Sequence, residues 1–357
     1  MRILAAIGLS LATLLLTPRI IQAQTFVELA TEGQAAMDNE DYARAEIALR
    51  QALNQADEEG FSSYKVELLF FLSRSIDFQG RHAEAEAIAE DAIRLDPNSA
   101  ALRCRLSTAL KYQGKIDEAE ASYREALRID PGFENAVNGL GEILEERGDL
   151  AEAELLYISA TESNPKSSKN FYRLGRLLVK QERWADAEVA YRNSVDIEPG
   201  LILNVLHLGK LLQMRGAIDE AESLYKQSIE TNSDSSYIHN ALGKLLLAQQ
   251  RFSEAEQAYR AAVEINPGFS AAVYDLGFLL IQRDDHVEAE TLFSTAIETN
   301  PNTDGDIYFA LGVAIFNQKR YPEAAAAYQE AIRRNPDTDY SLLGNALETV
   351  QSPSQPN

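Results

Sequence analysis

The chain has 357 residues, 45% of them hydrophobic, and sets 33 lysines and arginines against 55 acids for a net charge of −22. That balance excludes nucleic-acid binding through the surface as a whole, which needs basic faces to displace counterions from phosphate, and instead suits solubility and the choice of partners. The one cysteine, Cys104, has no second thiol to pair with, so packing alone must hold the chain even in an oxidising compartment.

Residues 1–23 differ from everything after them. Met1 and Arg2 carry positive charge, Ile3 to Leu16 form an apolar run without charge, and Ala23 is a small residue before Gln24. The pattern predicts a secretory signal over 1–23, cleaved before Gln24, and hence a periplasmic or secreted protein. An uncleaved anchor is the alternative. The apolar run falls short of the ~20 residues that cross a bilayer, and Pro18-Arg19 interrupts it. No later run approaches bilayer length, so no stable membrane span is expected after cleavage.

From Phe26 onward a period of 34 residues takes over. Its clearest copy is Ser236–Phe269. The first half carries Leu242, Gly243 and Leu246 on one helical stripe. The second carries Phe252, Ala255, Tyr259 and Ala262 at the i, i+3, i+4, i+7 spacing of an amphipathic helix. Asn266-Pro267 stops the second helix, because a proline lacks the N–H and pushes its predecessor out of helical geometry. Ser253 and Glu256 have the spacing of a capping box.

Counting places from the start of each copy, the twentieth is Ala45, Ala85, Ala119, Ala153, Ala187, Ala221, Ala255, Ala289 and Ala324. The predicted repeats run over about 26–65, 66–99, 100–133, 134–167, 168–201, 202–235, 236–269, 270–304 and 305–338. The eighth place is always tiny: Gly33, Ser73, Ser107, Gly141, Gly175, Gly209, Gly243, Gly277 and Gly312. The twenty-fourth is Tyr123, Tyr157, Tyr191, Tyr225, Tyr259, Phe293 and Tyr328, rings that fill the space the small residues leave. The first two copies have Leu49 and Ala89 there instead. Asp57 and Ser233 stand where proline is usual, and the first copy is lengthened through Asp57–Tyr64. After Asn335-Pro336, Leu343, Ala346, Leu347 and Val350 give one more amphipathic face, a short capping helix over 339–350. The tail 351–357, rich in Ser, Pro and Gln, is expected to be disordered.

These coincident places resemble the tetratricopeptide repeat family. The resemblance implies an all-α fold, a right-handed superhelical α-solenoid of nine stacked helix-turn-helix repeats with the short C-terminal helix. It also implies a non-catalytic scaffold that binds a protein or peptide segment. Enzymatic chemistry has no foothold in the residues: His82, His207, His239 and His286 lie in four different repeats without metal-ligand spacing, and there is no Gly-rich phosphate loop. No cofactor, metal or catalytic residue is expected, and Cys104 lacks the basic neighbourhood of a nucleophile.

Two charge patterns remain. Glu84/Glu86, Glu118/Glu120, Glu152/Glu154, Asp186/Glu188, Glu220/Glu222, Glu254/Glu256 and Glu288/Glu290 flank the packed alanine at the start of each second helix. Either they form a ridge for cations or basic partners, or, the favoured alternative, a solvated face matched to the helix dipole. The family's ligand-facing places, on the first helices, give an acidic band at Asn135, Asn138, Glu142, Glu145 and Glu146. Next come five cations and no acid, with Lys169, Tyr172, Arg176 and Lys180, then Lys210, then Tyr237, Asn240 and Lys244. Tyr274, Phe278, Phe309 and Phe316 follow as an apolar stretch. The resemblance thus implies a groove for a segment with an acidic and a hydrophobic part. The alternatives are that lysines offset neighbouring acids and aromatics pack internally, that the chain self-associates through its terminal repeats, or that it binds an anionic polymer such as a polysaccharide.

Overall fold

The computed structural model describes residues 18–59, 62–231 and 234–351, with side chains from Thr25. The predicted signal segment before Pro18, the tail after Gln351 and the turn at Ser233 lie outside the described residues. Among those described there are helices and turns and no strand. Contacts divide the chain into two compact units, one ending at Arg183 and the other beginning at Trp184.

In the first unit, α1 (Pro18–Asp38) pairs with α2 (Tyr42–Glu59), α3 (Lys65–Phe78) with α4 (His82–Leu95), α5 (Ala100–Tyr112) with α6 (Ile116–Ile129), and α7 (Glu134–Arg147) with α8 (Leu150–Ser163); α9 (Ser168–Lys180) packs on α8. The second unit opens with α10 (Trp184–Ile197). Its pairs are α11 (Ile202–Met214) with α12 (Ile218–Thr231), α13 (Ser236–Ala248) with α14 (Phe252–Ile265), α15 (Ser270–Gln282) with α16 (His286–Thr299), and α17 (Gly305–Asn317) with α18 (Tyr321–Arg334). Helix α19 (Ser341–Gln351) closes the series against α17 and α18. Within each unit every helix also packs on the next, so the expected all-α array of stacked pairs with a terminal helix is the fold.

Close approach explains the sequence pattern. All nine alanines at the twentieth place have no exposed surface. A Cβ built on Gly243 would lie 2.6 Å from the Tyr259 ring, one on Gly209 2.4 Å from Tyr225 and one on Gly277 2.1 Å from Phe293. Two departures have visible causes. Where Ser107 holds the eighth place, the Tyr123 ring lies against Gly139 of the following helix instead. In the last pair Gly312 meets Leu343, and Tyr328 lies under Gly344, because α19 supplies the filling. In the first pair, with no proline to stop it, α2 runs on through Asp57 to Glu59, followed by a 3₁₀ turn at Ser62–Tyr64.

The turns are equally regular. The fifteenth place of each repeat, between its two helices, holds one left-handed residue: Glu40, Gly80, Gly114, Gly148, Glu182, Gly216, Gln250, Asp284 and Lys319. At the far end of a repeat, the Asp or Asn before proline accepts from a backbone N–H two residues on, as at Asp130 with Gly132 (3.1 Å) and Asn266 with Gly268 (3.1 Å). Ser99, Ser167 and Ser235 then cap the next first helix. The capping box expected at Ser253 and Glu256 does not form. Arg251 is the N-cap residue without a side-chain cap, and the Glu256 carboxylate is occupied by Arg260 and Arg283.

That occupation is general, and it revises the outer acidic ladder. The second acid of each pair accepts from the turn of the following repeat: Glu86 from Lys115 (2.8 Å) and Gln113 (2.7 Å), Glu120 from Arg147 (2.6 Å), Glu154 from Arg183 (2.5 Å), Glu222 from Arg251 (2.6 Å), and Glu290 from Arg320 (2.6 Å) and Gln318 (2.7 Å). Glu46 meets Arg81 at 2.7 Å, and Glu188–Arg215 and Glu256–Arg283 repeat the contact. The first acids are more exposed and pair at similar distances, such as Glu152 with Arg124 and Glu288 with Arg260, both at 2.7 Å. The ladder is therefore half solvated face and half inter-repeat clamp.

Two consequences can be measured. Filling the Gly243 contact forces the Tyr259 ring aside, and overpacking of this kind costs ~1–3 kcal/mol. Gly243→Leu should lower the melting temperature while Gln249→Leu, on the half-exposed helix end, should not; equal effects would show that the contact is not tight. Hydrogen bonds from Arg251 and Lys226 hold the Glu222 carboxyl down at about 2. The ionised form is the one the fold favours, so this stabilisation is complete above the ordinary glutamate range and is lost as pH falls through it toward about 2. Urea midpoints of wild type and Glu222→Gln should differ at neutral pH and converge as the pH drops through that window. A gap that stays constant would mean the clamp adds nothing.

Candidate interaction surface

The residues expected to face a ligand sit on the first helices α7, α9, α11, α13, α15 and α17. A strict repeat keeps each place on the same side of its helix, and within the second unit α11, α13, α15 and α17 contact one another in series, which brings their matching places side by side.

In the first unit the charges are tied to each other. Glu145, only 5% exposed in its side chain, accepts from Arg176 (3.1 Å), from Lys180 and from the Tyr157 hydroxyl (2.8 Å). Burial pushes its carboxyl up, but the hydrogen bonds from Lys180 and Tyr157 and the charge of Arg176 outweigh that and hold it below the usual range. Glu142 accepts from Lys111 (2.7 Å) and Asn138 (2.8 Å), and Lys169 lies 3.4 Å from Glu134. Asn138 in turn accepts from Arg173 (2.9 Å), a residue the sequence reading passed over. Tyr172 is half-buried, and burial raises its phenol. Acidic band and cationic stretch thus neutralise one another across neighbouring repeats.

The second unit is different. Lys210 is exposed and has no ion pair among the described residues, whereas Lys244 lies 3.1 Å from Asp275. On the same run of helices as these cations stand large apolar side chains in water: Tyr237 is 53% exposed, Met214 58%, Leu203 47% and Phe278 45%. The Tyr237 ring is held 4.7 Å from Phe269, and Tyr274 stacks on Phe278 at 6.0 Å. Asn240 is buried, with its Oδ1 lacking a hydrogen-bond partner. Phe309 and Phe316 are used internally: the first stacks on Tyr340 at 4.9 Å, the second lies 5.3 Å from Tyr321, and both belong to the terminal cluster around Leu343 and Leu347.

Other chemistry-bearing residues serve the fold. Cys104 is buried, and burial pushes its thiol up to about 12, far from a reactive thiolate. His82 Nδ1 lies 2.6 Å from the buried Asp77, and its ring stacks on Tyr112. Among the described residues no group of three His, Cys, Asp or Glu side chains converges as a metal site, and no helix is long and apolar enough to cross a membrane.

Sequence profiles of the tetratricopeptide repeat match residues 31–100, 104–169 and 206–269, with further profiles of the same repeat at 246–308 and 305–338. The chain belongs to the tetratricopeptide repeat family, and with it to the non-catalytic scaffolds that bind protein or peptide. Among solved structures it is similar to yeast Tom70, with a TM-score of 0.53 and 13% identity over 92% of this chain and 96% of that one. A tetratricopeptide repeat protein from Parabacteroides merdae gives a TM-score of 0.45 and 19% identity over 72% of this chain and 99% of its own. YrrB, described as having an unusual peptide-binding site, gives 0.40 and 22% over 52% and 95%. At these identities the likeness concerns the fold. No curated protein sequence matches the chain significantly.

Proposed function

We propose that the chain is an exported scaffold whose second unit holds an extended partner segment on the face formed by α11, α13 and α15. The observation that carries this reading is the group of large apolar side chains left in water there, Leu203, Met214, Tyr237 and Phe278, on the same run of helices as the unpaired Lys210. Family membership supports a protein or peptide as the occupant. The segment that fits presents apolar side chains to the rings and an acidic residue to Lys210. Buried aromatic anchors dominate binding energy, while charges act mainly on encounter and are screened over ~8–10 Å at physiological salt.

The kinetics of a partner captured on the mature chain test this division. Tyr237→Ala with Phe278→Ala should speed dissociation, and Lys210→Glu should slow association and reverse its salt dependence. Glu118→Gln, Glu152→Gln and Glu220→Gln, on the opposite helices, should leave both rates nearly unchanged, since exposed pairs contribute only ~0.2–1 kcal/mol. Binding abolished by the outer changes and untouched by the inner ones would place the partner elsewhere.

Export is proposed from the charged start, the apolar run and the small residue at Ala23. Mass measurement of the protein from its native cell should find Gln24 at the amino terminus. An intact Met1–Ala23 segment in the membrane fraction would refute cleavage.

A further inference from the structure

The first unit holds a cavity that the partner face proposed for the second unit does not use, although Asn138 and Glu142 of its lining stand among the ligand-facing places named above. It lies among α3, α5 and α7 and measures ≈ 500 Å³, within the ~300–1,000 Å³ of small-ligand sites. Its walls carry three cations, Arg74, Arg105 and Lys111, against one carboxylate, Glu142, in a chain whose net charge is −22. The local reversal of sign is the first reason to regard it as a site.

The three cations are not equivalent. Lys111 donates to Glu142, and Arg105, 10% exposed in its side chain, donates to the buried Asp77, which His82 also contacts. Those two are fixed in place and partly neutralised. Arg74 is exposed, and its one described contact is with the Phe78 ring, 5.5 Å from the ring centroid. Stacking on a ring occupies the face of a guanidinium and leaves its N–H edge free for the two-pronged hydrogen bonding a carboxylate accepts. The rings of Phe70 and Tyr112 form apolar wall beside it, and Tyr112 is 65% exposed.

We propose that this cavity binds a carboxylate attached to a flat apolar body, with the carboxylate on the Arg74 edge and the body against Phe70 and Tyr112. Arg105 and Lys111, though partly neutralised, add a fixed positive field that favours an anion over a cation and gives a neutral analogue no comparable gain. The proposal is independent of the second unit's surface, since neither shares a residue with the other. The same chemistry is available from a free aromatic acid or from an acidic side chain next to an aromatic one on a partner.

Isothermal titration of the full chain tests it with three probes: 4-hydroxyphenylacetate, its neutral amide, and an end-blocked peptide with glutamate beside phenylalanine. At least one of the two acids should bind saturably in the millimolar range or below, and the amide about tenfold or more weakly. Arg74→Gln should weaken the acid roughly ten- to a hundredfold, the loss expected for a charge-assisted hydrogen bond, without moving the melting temperature. Lys210→Gln in the other unit should change nothing. Tighter binding of the free acid assigns the site to small molecules, and tighter binding of the peptide to a partner's side chain. The proposal is overturned if neither acid binds, if the amide binds as well as the acid, or if Arg74→Gln leaves the affinity unchanged.

Discussion

The distance between the two helices of a pair governs most of this molecule. At the twentieth place of every repeat stands an alanine with no exposed surface, and where the eighth is Gly33, Gly141, Gly209, Gly243 or Gly277 a ring or a leucine from the facing helix lies where a side chain would be. A bulkier residue at either place would push the helices apart, and each pair would then present a differently spaced surface to the next. Because a repeat buries its apolar face only against its neighbours, that spacing must be kept along the whole array. The exceptions support the point: Tyr123 and Tyr328 shift to Gly139 and Gly344, so the ring finds a glycine even where the usual one is missing or already filled.

Packing sets the spacing, and the clamp at the outer turns sets how one repeat sits on the next. The acid after the buried alanine always meets a cation from the following repeat, but the cation comes from two places. Where the fourteenth place is glutamine the cation is two residues on, as at Lys115 and Arg320, and at Gln113 and Gln318 the glutamine amide also donates to the acid. Where the fourteenth place is arginine, as at Arg147, Arg215 and Arg283, it meets the acid itself. Two local solutions satisfying one carboxylate show that the carboxylate is the fixed element. The same arrangement explains how a chain of net charge −22 tolerates a regular row of acids: half of them are half-buried and hydrogen-bonded, and charge-assisted bonds of this kind are the stronger ones.

The pattern of pairs was legible because it depends on residues close in sequence. Small, aromatic and proline places recur within one repeat, and helical periodicity needs only a few turns to show. The clamp escaped the same reading because each acid and its cation are about one repeat apart and the cation's place alternates, so neither residue alone carries the signal. The candidate site was legible in position and only partly in state. Glu145 looked like part of an acidic band, yet it is buried between Arg176, Lys180 and Tyr157. Phe309 and Phe316 looked like groove anchors, yet Tyr340 and Tyr321 pack against them. Exposure depends on what the next element covers, and a place in a repeat does not record that.

What distinguishes one stretch of the array from another is therefore the set of inner side chains that the fold has not already used. In the first unit nearly every inner charge has an opposite charge within reach, so the positive character that survives is concentrated at Arg74, beside rings and fixed cations. In the second unit the inner acids are fewer, Lys210 is left unpaired, and Tyr237 and Phe278 stay in water. An exposed aromatic gains most when a partner covers it, whereas a cation already bonded to a carboxylate must give up that bond before it can serve a ligand. Binding should follow the unused groups, which gives the two units different chemistries on one repeated backbone.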